Sequence, residues 1–257
     1  MNLQVLLSVM DLKKDDLDKM NITSKCVVIN QCDKNDYEKY KNFDIYSYTE
    51  RGAANSRNRG LEHITEDIIL LCDDDVVYDD GYEQKVIEEF EKNKDADFIV
   101  FNLNSPNRVI KQNKKNKRLH FYNTLRYASP RIAFRKESIK KNKISFNVLF
   151  GPGAKYTSGE DTLFLVSALK NKLKIYSSTK NLGTVYHEKS TWFNGYTDEY
   201  FFNKGALYTA ISKKCRAILI VQFLLRHKEI LQKTNFSRAA KIMWQGSKQY
   251  IEDCKKS

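Results

Sequence analysis

Three consecutive carboxylates, Asp73, Asp74 and Asp75, close the apolar run Ile68-Ile-Leu-Leu-Cys72. The run reads as a buried strand over Asp67–Cys72, so three like charges arrive together at one strand end. They repel one another there. A hard divalent cation such as Mg²⁺, which takes carboxylate oxygens and is commonly shared with substrate phosphates, is the usual compensation. A solvated acidic turn is the plain alternative. Upstream, Arg57-Asn58 opens a helical pattern over Ser56–Ile64. A helix N-terminus offers free N–H groups and Arg adds a bidentate phosphate donor, so beside a metal-ready cluster the pair is a candidate diphosphate contact. On its own it reads as a surface pair. Later, Ser158-Gly-Glu160-Asp161 opens an apolar helix, Thr162–Lys170, and fits a capping box in which Asp161 caps that helix.

The elements that must position these groups alternate. Strand-like runs fall at Leu3–Met10, Cys26–Asn30, Asp44–Thr49, Asp67–Cys72 and Asp97–Asn102, with helical patterns at Asp15–Met20, Ser56–Ile64 and Glu83–Asn93. Such alternation predicts βαβ units and a mostly parallel sheet, in which ligands bind at the carboxyl ends of the strands. Both the acidic triplet and Asn30-Gln31-Cys32-Asp33 lie at such ends. Arg131–Arg135, Leu173–Ser178 and Thr184–His187 are further strands, and the chain from Lys204 onward reads as largely helical.

Composition narrows the class. A hydrophobic content of 41% excludes a disordered chain, and three prolines with ten glycines leave no room for a Pro/Gly-rich linker. No apolar stretch approaches the ~20 residues that span a bilayer. The start, Met-Asn-Leu-Gln-Val, has no basic leader and reads as the first strand of a cytoplasmic protein. Cys26, Cys32, Cys72, Cys215 and Cys254 lack paired spacing, which disfavours a disulfide framework and a cysteine zinc site. A net charge of +12 calls for an anionic partner. Part of the excess lies in Lys111–Arg118, which reads as a solvated loop, and part flanks the apolar segment Ala217–Leu225. That segment is too short to span. It is a core helix, the reading we favour, or a surface helix touching lipid.

Three features together resemble the family 2 glycosyltransferases: the run from Arg51 through Arg57-Asn58 to Gly60, the segment ending in Asp73-Asp74-Asp75, and Gly159-Glu160-Asp161. Order and spacing match over roughly residues 1–200. Asn30 to Asp33, Phe134 to Ile139, and His187-Glu188 through Trp192-Phe193 are similar to a branch associated with bacterial capsule and exopolysaccharide gene sets.

The resemblance implies an α/β, GT-A (Rossmann-like) nucleotide-sugar-binding fold: a mixed, mostly parallel central sheet flanked by helices, with a C-terminal helical extension. One catalytic domain would cover 1–205, with a nucleotide-sugar half at 1–110 and an acceptor-side half at 111–205, and the extension would cover 206–257. It implies that Asp73 and Asp75 hold Mn²⁺ or Mg²⁺ with the donor diphosphate, Asp74 being able to replace either. Asn30, Gln31 and Asp33 would face the base and ribose, with Arg57 and Asn58 at the diphosphate. Asp161, with Glu160 second, would be the general base of an inverting transfer. His187 would reach the metal–diphosphate centre, and Trp192 and Phe193 would stack on an acceptor sugar, although such aromatics are more often core. Gly151-Pro-Gly153 would shape an acceptor-side loop.

The donor expected is a nucleotide-diphospho-sugar, a UDP-sugar first, and the acceptor a glycan or lipid-linked oligosaccharide, with peripheral membrane contact on the inner face. A nucleotidyltransferase is the second enzymatic reading, disfavoured because Leu3–Met10 runs into Asp11-Leu-Lys-Lys without a glycine-rich phosphate loop. A basic nucleic-acid-binding protein is the third. It explains the charge, but clustered aspartates repel phosphate unless a metal intervenes.

Overall fold

The computed structural model describes residues 1–186, 195–231 and 235–256. The apolar run Leu3–Met10 forms β1, buried on both sides as a strand inside a parallel sheet must be. Leu3, Val5, Leu7 and Val9 face one layer and Leu6 the other. From β1 the chain passes through α1 (Lys14–Lys19), β2 (Lys25–Gln31), the hairpin β3 (Asp36–Tyr40) and β4 (Phe43–Tyr48), α2 (Ala53–His63), β5 (Ile68–Asp73) and β6 (Val76–Tyr78). It continues through α3 (Tyr82–Lys92), β7 (Phe98–Asn104), β8 (Lys117–Leu119), α4 (Phe121–Thr124), a 3-10 turn at Ser129–Arg131, β9 (Ile132–Arg135), α5 (Lys136–Asn142), α6 (Glu160–Lys170) and β10 (Ile175–Val185). Three helices complete the described chain: α7 (Asp198–Ile211), α8 (Arg216–Arg226) and α9 (Phe236–Lys256).

The sheet has the order β3-β4-β2-β1-β5-β9-β7-β10-β6, with β8 pairing on β10. β4, β2, β1 and β5 are parallel neighbours, and β10 runs parallel to β7. β9 is antiparallel to both β5 and β7. The sheet is mixed and mostly parallel. Side chains of α1 and α3, among them Leu17, Val86 and Phe90, cover one face. Residues of α2, α5 and α6, including Ala54, Ile139 and Phe164, cover the other. The connection after β1 moves outward to β2, whereas the chain returns through α2 to lay β5 on the opposite side of β1. Such a reversal marks the carboxyl ends of β1 and β5 as the place where open α/β sheets bind ligands.

Two expectations change. The strands expected at Leu173–Ser178 and Thr184–His187 merge, over the described residues, into the single strand β10 (Ile175–Val185), whose register shifts between Ser177 and Thr184. The polar stretch between them conceals the continuity. The basic run Lys111–Arg118 is not wholly a solvated loop: Asn113 is buried, donating to the Val100 and Ser178 carbonyls, and Lys117–Leu119 pair with β10.

The chain divides into two compact units, residues 1–148 with 160–189, and 149–159 with 190–257. The division does not fall at 205/206, because α7 runs through that position. Within the second unit, Phe150, Tyr156 and Tyr250 pack ring against ring. Asp253 of α9 accepts from the Tyr156 hydroxyl at 2.6 Å and from Lys155 Nζ at 2.6 Å. Gly151-Pro-Gly153 makes a tight turn closed by the Ala154 N–H on the Gly151 carbonyl. In α8, Ile220, Phe223 and Leu224 are buried against α7 and α9, while Ile218, Val221 and Leu225 are exposed. Only one side of that helix joins the core.

Gly205 lets α7 and α9 touch backbone to backbone. A Cβ there would sit 1.8 Å from the Met243 carbonyl oxygen. Gly205→Ala therefore forces the helices apart, and denaturant unfolding should record a loss of about 3 kcal/mol; an unchanged midpoint would contradict this packing.

Candidate active site

At the carboxyl end of β5, the Asp73 side chain meets a guanidinium that comes from α2. Arg57 lies in the second turn of that helix, beyond its free N–H groups, and is 5% exposed. Its Nη1 donates to Glu160 Oε1 at 3.0 Å and to Asp161 Oδ1 at 2.8 Å. Its Nη2 donates to Asp73 Oδ1 at 3.1 Å and to Ser129 Oγ at 2.8 Å. Ser129 closes the circuit, its hydroxyl donating to Asp73 Oδ2 at 2.6 Å and its backbone N–H to Asp161 Oδ2 at 2.8 Å. One cation therefore serves three carboxylates drawn from two elements.

Burial penalises the charged guanidinium, but attraction to Asp161, Asp73 and Glu160 outweighs it and keeps Arg57 protonated. The Asp161 carboxyl is raised above the ordinary range. Burial is the main cause, Arg57 opposes it, and the neighbouring Glu160 and Asp73 add to it. An acidic group of raised proton affinity is what a general base requires. The Asp161 oxygens are taken by Arg57 and Ser129, partners outside its own helix.

Arg57 and Asn58, expected at a diphosphate, are turned to this interior network. Asn58 accepts from the Phe146 N–H at 2.8 Å and donates to the Phe146 carbonyl at 2.9 Å. The Phe146 ring lies 5.5 Å from the Arg57 guanidinium, so Asn58 fixes the aromatic floor on which the arginine rests. Asp75, in the turn between β5 and β6, is partly buried. Its carboxyl is pushed up to about 7, first by desolvation and then by Asp73 and Asp74. Asp74 is exposed and shifted in the same direction, again by desolvation and then by Asp73.

At the end of β2 the amides are also engaged. Asn30 accepts from the Leu12 N–H at 3.0 Å and donates to Ser47 Oγ at 3.1 Å. Gln31 is buried and donates to the Glu50 and Gly52 carbonyls at 2.8 and 3.2 Å. Asp33 is open to solvent and pairs with Arg51 at 2.8 Å, whose other nitrogen holds the Gln31 carbonyl. A groove of about 700 Å³, lined by Asn104 to Gln112 together with Thr184 and Tyr186, borders the acidic turn. The Tyr186 N–H donates to the Asp75 carbonyl at 2.8 Å. None of the expected site residues among those described lines that groove. His187, Trp192 and Phe193 lie outside the described residues.

Sequence reasoning missed Ser129, Arg51 and Phe146. Ser129 precedes Pro130 at the mouth of β9, a turn signal with no chemical mark of its own. Arg51 stands in the recognised run before Arg57 but was not singled out within it.

A mostly parallel sheet carrying clustered carboxylates at a strand-order reversal has the form of a GT-A nucleotide-sugar-binding fold. The family model described as Glycosyl transferase family 2 matches residues 25–155, just over half of the chain. The chain belongs to that family and is a glycosyltransferase. A comparison with curated proteins finds no match. Among solved structures, S. aureus TarS 1-349 in complex with UDP-GlcNAc superimposes with a TM-score of 0.67 at 17% identity, covering 98% of this chain and 79% of that chain. The same TarS fragment in complex with UDP gives 0.64 at 14% identity, covering 98% and 92%. At these identities the likeness establishes the fold.

Removing the central cation leaves buried carboxylates uncompensated. Arg57→Met should lower unfolding free energy by about 3–5 kcal/mol, measured by urea denaturation; a variant as stable as the parent would show that the network is idle. Asp75 adds a pH dependence. Because its folded proton affinity exceeds the unfolded one, the folded state holds a proton that the unfolded chain releases between about pH 4 and pH 7. Stability from this group falls as pH rises through that window. In chelator, Asp75→Asn should be more stable than the parent near pH 8, with the difference shrinking towards pH 4.

Proposed function

We propose that this glycosyltransferase is metal-dependent and inverting, moving a sugar from a nucleotide-diphospho-sugar, a UDP-sugar first, to a hydroxyl of a glycan or lipid-linked oligosaccharide. The setting that fits is surface polysaccharide synthesis of the capsule or exopolysaccharide type, at the inner face of a membrane. The observation that carries the reading is the buried Arg57 network, which presents Asp161 beside the acidic end of β5. The UDP-GlcNAc and UDP complexes of TarS support the choice of donor.

The residues at the turn suit a hard cation. Asp73, Asp74 and Asp75 are oxygen ligands, and the raised proton affinity of Asp75 is the mark of crowded negative charge that a cation would relieve. Among the described residues no three His, Cys, Asp or Glu side chains form a complete metal cage. Sharing the ion with diphosphate needs only one or two carboxylates. Asp75 would hold it with Asp73 or Asp74 as the second ligand. When bound, Mn²⁺ or Mg²⁺ supplies compensation for charge on the departing diphosphate.

The chain's own residues do the rest. Asp161 takes the proton of the acceptor hydroxyl as its oxygen bonds to the anomeric carbon, while the bond from that carbon to the diphosphate oxygen breaks and its electron pair leaves with the nucleotide. Displacement from the opposite side inverts the anomeric centre. Arg57 acts through Asp161 as a positioning residue, and Ser129 fixes the second carboxylate oxygen. Arg51 and Asp33, at the solvent edge of β2, would meet base and ribose.

Thermal unfolding with UDP, with and without Mn²⁺, tests the donor site, and hydrolysis of a panel of nucleotide sugars tests turnover. UDP should stabilise the chain only when Mn²⁺ is present, and Asp75→Ala should abolish that gain. Asp161→Asn should keep it while turnover drops by about 10²–10⁴-fold. A fully active Asp161→Asn enzyme would overturn the assignment of the base.

A further inference from the structure

Helix α8 carries more apolar side chain than its packing consumes. Ile220, Phe223 and Leu224 turn inward against Phe201, Ala239 and Met243. Ile218, Val221 and Leu225 stay exposed, Ile218 by 69%. Their spacing of three and four residues places them in one stripe along the helix, away from the core side. The ends of the stripe are basic, since Lys213 and Lys214 precede the helix, Arg226 closes it, and all three are exposed.

Charge is unevenly divided in the chain. The unit formed by 149–159 and 190–257 holds thirteen Lys and Arg against five Asp and Glu, so less than a third of the residues carries +8 of the net +12. A second copy of the chain would bring +8 against +8 and be repelled. An anionic bilayer answers both features, with an apolar boundary for the stripe and negative headgroups for the basic ends. At roughly 16 Å the helix is too short to cross a hydrocarbon layer of about 30 Å. Among the described residues no helix is long and apolar enough to do so.

We propose that α8 lies flat on an anionic lipid surface, with Ile218, Val221 and Leu225 at the headgroup–acyl boundary and Lys213, Lys214 and Arg226 among the lipid phosphates. The inference deepens the membrane-side setting proposed above, yet every residue it uses lies outside the carboxylate network.

Flotation of the full chain with vesicles of phosphatidylcholine, alone or mixed with phosphatidylglycerol, decides the matter. Binding should require phosphatidylglycerol and weaken with salt. A combined Ile218→Glu, Val221→Glu and Leu225→Glu variant should lose about tenfold or more in partition. Lys213→Gln with Lys214→Gln should cost about fivefold for each charge removed. Both variants should keep the parent's melting temperature and its Mn²⁺-dependent response to UDP. No binding by the parent, or unchanged binding by the glutamate variant, overturns the proposal. So does a parent that light scattering finds dimeric and the glutamate variant monomeric, because the stripe then meets a second copy. If vesicle binding stands while UDP with Mn²⁺ gives no stabilisation, the donor reading fails alone.

Discussion

The site depends on one arginine being outnumbered. Arg57 is buried against Asp73, Glu160 and Asp161, and Ser129 supplies the neutral donors that a single guanidinium cannot. Burying ions carries a desolvation cost of several kcal/mol per charge, and such a group persists only when geometry and hydrogen bonding offset it. Here the fork of the guanidinium divides between α6 on one nitrogen and the end of β5 on the other. The network therefore fixes the distance between the acidic strand end and the start of α6, the two places to which the proposed mechanism gives its metal-binding and proton-accepting carboxylates.

The fold makes that meeting possible. β1 lies between β2 and β5, and the chain departs from it in opposite directions, so the carboxyl ends of three parallel strands lie side by side. Helix α2 passes from β4 to β5 beneath them and carries Arg57 inward, while Asn58 on the same helix holds the backbone of Phe146 under the guanidinium. The antiparallel β9, inserted between β5 and β7, brings Ser129 to its mouth. A purely parallel sheet would return the chain at the other edge and leave Asp73 without its hydroxyl.

What was legible in the sequence follows from which interactions are local. β1 was read with its true limits because a continuous apolar run has one interpretation in a sheet covered on both faces. The acidic triplet, Arg57 and the Glu160-Asp161 pair stood out as charged residues in patterned surroundings. Their mutual arrangement did not. Arg57 and Asp161 are 104 positions apart, and nothing near either one encodes the other. Hence Arg57 was read as a donor aimed at phosphate when its bonds go to carboxylates. The helix signal was misplaced by a turn, since α2 starts at Ala53 and Arg57 lies past its free N–H groups. The short strands β3 and β8 give no strand signal because their residues are largely polar, and β6 gives none because three apolar residues are too few; the pairing of all three is supplied by neighbours already in the sheet.

The sign of the charge at the site is opposite to that of the chain as a whole. The +12 total suggests a protein ready for any anion, but the end of β5 carries Asp73, Asp74 and Asp75, and Asp73 shares the buried Arg57 with Glu160 and Asp161. A diphosphate approaching those strand ends meets repulsion at short range, where the distant lysines are screened within about 10 Å by ordinary salt. The proposed cation would supply local neutralisation there, in keeping with the Asp75 carboxyl being pushed up by desolvation and by its acidic neighbours Asp73 and Asp74. The basic excess is then free for another surface, and most of it lies in the unit that bears the exposed stripe of α8. The two proposals, gripping a donor through a cation and holding to an anionic surface, thus draw on different parts of one chain.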